Sequence, residues 1–111
     1  MKKTALVILA LALSFPMYAK ELKNVALLDA HCAEKKDVAA NPDGHSRSCM
    51  MACAKNGYGV MLDGKFVKFD TKGNELAKEA LKNSDKKDHL RATVSGEMKG
   101  DTLEVKSLKL D

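Results

Sequence analysis

The stretch YGVMLDGKFVKFD, residues 58–70, decides how the rest of the chain is read. Asp63-Gly64 stands between two short runs rich in aromatic and branched residues. An Asp-Gly pair suits the two-residue type I′ turn, whose left-handed backbone matches the twist of the strands it joins. Residues 58–62 and 65–70 therefore form a β-hairpin. Val67 and Phe69 share one face of the second strand and Phe66 takes the other, as in a strongly curved sheet partly covered on both sides.

Immediately after the hairpin, Thr71-Lys-Gly-Asn74 reads as a turn in which Asn74 caps a helix running to about Asn83. Leu76, Ala77, Ala80 and Leu81 then fall on one helical face and cover the sheet. Leu90, Ala92 and Val94 alternate with polar residues, and a turn at Lys99-Gly100-Asp101 leads into a last strand. Leu103 and Val105 hold one phase of that strand and Leu108 and Leu110 the other, which places a bulge near Lys106-Ser107.

Before the hairpin, the apolar run VALL at residues 25–28 predicts a strand buried on both faces. The polar, Pro- and Gly-bearing segment 33–44 predicts a loop. Residues 46–56 contain no Pro or Gly and predict a helix, stopped by Gly57. The resulting order is β-α-β-β-α-β-β. This is an α+β, mainly β chain: a small five-stranded OB-like barrel with two short helices. A plain two-layer α+β sandwich is the alternative.

Met1-Lys2-Lys3, the apolar run 4–15 and the small residue Ala19 have the layout of a secretory signal peptide, residues 1–19. What remains is a single OB-like domain, residues 20–111, expected to be periplasmic or secreted in a bacterium and not stably inserted in a membrane. A domain this small gains only marginal stability from its core. The formal charge of the whole chain is +4, half of it from Lys2 and Lys3, and the remaining Lys residues alternate with Asp and Glu. That pattern is a solvated surface, so no nucleic-acid partner is expected.

The chemically pointed feature is HSRSCMMAC, residues 45–53, together with His31-Cys32. The chain has three cysteines, an odd number for an oxidising compartment. Residues four apart on a helix drift by only about 40° around its axis, so His45, Cys49 and Cys53 would line one stripe facing Cys32. On one reading Cys32, His45, Cys49 and Cys53 ligate Zn2+ or Cu(I), with His31 a possible further ligand. On the other, Cys32 forms a disulfide with Cys49 or Cys53, leaving one thiol over. Thiol redox chemistry is weaker, because the spacing is CxxxC and no thioredoxin-like order accompanies it. Asp29 and the carboxylates of 37–43 offer no paired acid and base at a useful spacing. With no Ser-His-Asp set and no phosphate-cradling loop, the chain is not read as an enzyme.

The succession LLDAHC, HSRSCMMACAKNGYGV, DGKFVKFDTKGNELAKEALK and DHLRATVSGEMKGDTLEVKSLKL resembles a group of small exported bacterial proteins of unknown function. Its pattern is D-x-x-C, H-x-x-x-C, a second C, GYGV, DGK(F/Y) and a closing VxG. The resemblance covers residues 25–110 and implies an OB-like barrel, export and a pattern that includes Cys32, His45, Cys49 and Cys53. Similar proteins have a more variable interval between the last two cysteines. The function expected is an exported domain binding a soft metal ion through a Cys/His cluster. The alternative is a disulfide-stapled module binding an unidentified periplasmic partner.

Overall fold

The structure is a computed structural model that describes residues 20–111, so the signal segment expected at 1–19 lies outside the described residues. Five strands, β1 (Lys20–Asp29), β2 (Tyr58–Leu62), β3 (Lys65–Phe69), β4 (Arg91–Lys99) and β5 (Thr102–Leu110), close into a barrel in the order β1-β2-β3-β5-β4. β3 and β5 run parallel and the other neighbours antiparallel. The α+β class and the small five-stranded barrel expected from the sequence are present.

The hairpin forms as its turn chemistry demands. Leu62 pairs with Lys65, and both turn residues, Asp63 at φ 49° and Gly64 at φ 79°, have left-handed backbone. Val67 and Phe69 are buried while Phe66 is only half-buried. β1 is longer than its apolar run, reaching back to Lys20 past an irregularity between Leu22 and Val25. Its four consecutive residues Ala26 to Asp29 are all buried, as a strand covered on both faces requires. In β5, Ser107 pairs with Ser95 and Val105 with Gly96, so Lys106 is the extra residue of a bulge. The phase change read from the sequence sits there.

Two expectations need correction. The segment 33–44 is not a bare loop, and 46–56 is not one helix. The chain instead forms α1 (Ala30–Ala33), α2 (Lys36–Ala40), a 3-10 turn at Pro42–Gly44, α3 (Arg47–Ala52) and a second 3-10 turn at Ala54–Asn56. Local side-chain caps compete with helix propagation here: Asp29 starts α1, Ser46 starts α3, and Gly57 at φ 86° ends the run. The barrel therefore carries more helical pieces than the two expected.

The remaining helix, α4 (Thr71–Lys82), begins before Asn74, because Asp70 is its N-cap. Gly73, Ala77 and Leu81 face the core. A Cβ at Gly73 would come within 2.5 Å of Val105 Cγ2 and 2.8 Å of Phe69 Cβ, so glycine permits the helix to lie this close to β3 and β5. Asn74 has a different role. Its Oδ1 accepts from the Tyr58 backbone N–H at 2.8 Å, fixing α4 to the start of β2.

Asp70 is the joint of this end of the barrel. Its Oδ1 accepts from Gly73 N at 3.0 Å and from Val105 N at 3.1 Å, while its own N–H donates to Leu103 O at 3.0 Å. Asp70→Ala removes a helix cap and leaves a strand donor unpaired, so it should cost about 1–3 kcal/mol. Urea denaturation checks this: the midpoint should fall with the slope unchanged, and an unaltered midpoint would dismiss Asp70 as the joint.

Candidate metal centre

β1 ends at Asp29, whose Cα partner across the sheet is Tyr58. The carboxylate is fully buried, a position that must be satisfied by hydrogen bonds or charge. Asp29 Oδ2 accepts from the Cys32 backbone N–H at 2.8 Å, which makes Asp29 the N-cap of α1. The D-x-x-C spacing is thus a capping geometry, with the cysteine at the third helical position, turned back towards its own cap. The other oxygen, Oδ1, lies 2.9 Å from His45 Nε2.

His45 comes to this point through a pinned loop. It follows the 3-10 turn, and its N–H donates to Pro42 O at 3.1 Å. The preceding Asp43 receives two bonds from the Arg91 guanidinium, Nε to Oδ1 at 2.9 Å and Nη2 to Oδ2 at 3.0 Å. Arg91 Nη1 also donates to Asn24 O at 2.7 Å, so one side chain ties the irregularity of β1, the start of β4 and the His45 loop. Behind His45, Arg47 N donates to Lys87 O at 2.8 Å.

One ligand atom each from Asp29, Cys32 and His45 lies within 4.8 Å of the other two. The side chain of His45 is 9% exposed and that of Asp29 0%. Burial and a hydrogen bond to Asp29 push the Cys32 thiol up to about 11, with the Asp29 and Cys53 charges adding to the rise. The same two charges, after burial, raise the Tyr58 phenol, which donates to Met50 O at 3.0 Å. Cys32 is therefore a protonated thiol at neutral pH, the reverse of an activated nucleophile.

The close group is not the four-residue set expected from the sequence. Cys32 and His45 are brought together, and Asp29, set aside as an isolated acid, is the third member. His45 precedes α3 instead of opening it, so there is no stripe of His45, Cys49 and Cys53 along one helix. Ser46 Oγ accepts from Cys49 N at 3.1 Å as the cap of α3, and Met50 is the residue this helix buries, leaving Cys49 exposed. Cys53 is half-buried beyond the end of α3, near enough for its charge to reach Cys32 and Tyr58. His31 is exposed. No disulfide is formed: all three cysteines are free.

Asp29 was detectable in principle. An Asp ending a fully apolar run and standing three residues before a Cys is a cap signal, and a cap at the end of a doubly buried strand must itself be buried.

The donor set fits a metal ion. Asp oxygen, Cys sulfur and His nitrogen all ligate zinc, and tetrahedral bonds of the usual length place ligand atoms roughly 3.3–3.8 Å apart, inside the present spacing. No family model matches the chain, and no significantly similar curated protein or solved structure was found. Among the described residues, no helix is long and apolar enough to cross a membrane.

Two outcomes follow from this geometry. In denaturant-free buffer an alkylating reagent should modify Cys49 first and Cys32 last, as mass mapping of the labelled peptides would read. Fast labelling of Cys32 would contradict its burial. The Arg91 guanidinium holds the Asp43 carboxyl below the usual carboxylate range, so the pair's contribution is complete above the carboxyl's unfolded-state pKa. It is lost as pH falls through the lower folded-state value. Asp43→Asn should then cost about 1 kcal/mol at neutral pH, a modest figure because the pair is partly exposed. The gap from the wild type should close in acid, as denaturation curves across pH would show, and a gap constant with pH would contradict the ion pair.

Proposed function

We propose that the chain is an exported barrel domain that binds a soft metal ion, with zinc the ion of best fit, and that it acts by binding instead of catalysis. The observation that carries this reading is the convergence of His45 with the Asp29–Cys32 capping turn, two separate segments of the chain, onto one buried point. In this reading Asp29 oxygen, Cys32 Sγ and His45 Nε2 hold the ion, and Cys53 completes the four-coordinate shell from the end of α3. The carboxylate favours Zn2+ over Cu(I), since Cu(I) prefers thiolate and thioether donors. The strand order is read as that of an OB-type barrel, and the signal-peptide layout of the sequence at residues 1–19 supports export. Cys49, exposed and outside the cluster, has no role in the proposed shell.

Thiolate is the ligating form, so zinc must expel the proton that Cys32 holds at neutral pH, and affinity rises with pH. The test is calorimetric zinc titration of the reduced protein in two buffers of different ionisation heat, followed by the same titration of variants. The expected result is one zinc per chain with proton release, binding lost in Cys32→Ser and His45→Ala, and binding kept in Cys49→Ser. A wild type that takes up no zinc, or a His45→Ala variant that binds as well as the wild type, would overturn the proposal.

A further inference from the structure

The metal reading places a buried ion behind His45, and such an ion needs a way in. On the surface a cleft of about 360 Å³ is lined by Asp37, Val38, Asn41, Gly44 and His45. The walls of the other three clefts described include none of Asp29, Cys32 and His45. The cleft therefore leads to the cluster from the side of its least buried member.

The imidazole of His45 has one nitrogen on each side of that boundary. Nε2 faces Asp29, and Nδ1 has no hydrogen-bond partner among the described residues. No enclosed side-chain polar atom there lacks a partner. Nδ1 is consequently not enclosed, and His45 is one of the residues that line the cleft. When Nε2 ligates an ion, the ring proton moves to Nδ1, where water in the cleft can accept its hydrogen bond. At the mouth, Asp37 and Asn41 are exposed, and the Asp37 carboxylate makes no ion pair among the described residues, so it presents an unneutralised charge to an approaching cation.

We propose that the cleft lined by Asp37, Val38, Asn41, Gly44 and His45 is the port through which the metal ion of the Asp29, Cys32 and His45 centre enters and leaves, an inference that rests on the metal-binding reading above. Two signatures separate a port from a mere surface dent. Bulk placed in a port obstructs both directions equally, so both rates fall while the equilibrium constant stays put. Charge placed at its mouth acts on arrival, so its removal slows uptake and the effect fades in salt.

The experiment is stopped-flow uptake of Co2+, followed by the thiolate charge-transfer band, with loss measured by excess chelator. It compares the full mature chain with Val38→Trp, with Asn41→Trp as the variant of an exposed position should Val38→Trp fail to fold, with Asp37→Asn, and with Lys78→Trp, a residue that lines two of the other clefts. The bulky cleft variants should slow uptake and loss by the same factor, about tenfold, with the dissociation constant unchanged. Asp37→Asn should slow uptake about threefold at low salt and not at high salt. Lys78→Trp should change nothing. Folded cleft variants with wild-type rates, or an equal slowing by Lys78→Trp, would overturn the port while leaving the metal centre standing. A wild type that binds no Co2+ or Zn2+ would overturn both.

Discussion

The Asp29 carboxylate is the constraint on which this molecule's chemistry depends. It sits with no exposure at the end of a strand whose two faces are both covered, where an unsatisfied charge would cost several kcal/mol. One oxygen is satisfied by starting α1 and the other by His45, so one group sets the position of Cys32 and of a histidine sixteen residues away. The barrel supplies the burial, the capping requirement supplies the D-x-x-C spacing, and the Asp43–Arg91 clip brings the His45 loop to the same place.

The same logic explains why the helical region is broken into short pieces. Asp29 and Ser46 each spend a side-chain oxygen on the N–H of a cysteine three residues on, so Cys32 and Cys49 occupy equivalent positions on two different short helices. Their surroundings then differ. α1 follows directly from a buried strand and keeps Cys32 inside, whereas α3 packs through Met50 and turns Cys49 to solvent. Equivalent local geometry thus gives opposite chemistry, a buried donor in one case and an exposed thiol in the other.

Much of the fold was legible because its signals are local. The Asp63-Gly64 turn, the doubly buried run in β1 and the bulge at Lys106 each follow from a few neighbouring residues, and each is present. The site was only half legible. Cys32 and His45 drew attention by residue type, but their meeting depends on a loop held by Arg91 from far along the chain, which no local pattern reveals. Helical spacing argued for a stripe of His45, Cys49 and Cys53. The Ser46 cap at its start and the break at Cys53 confine the helix to Arg47–Ala52, so the stripe does not form. Asp29 looks solitary in one dimension because it stands next to no other acid, while its partners come from α1 and the His45 loop.

Zinc-edge X-ray absorption on the zinc-loaded mature protein reads the proposed metal centre of Asp29, Cys32, His45 and Cys53 atom by atom. A mixed first shell is expected, with two sulfur neighbours at about 2.3 Å and two nitrogen or oxygen neighbours at about 2.0 Å. A shell of about six oxygen or nitrogen neighbours with no sulfur would contradict it, placing the ion on the surface and leaving Asp29 and His45 as an internal latch between strand and loop.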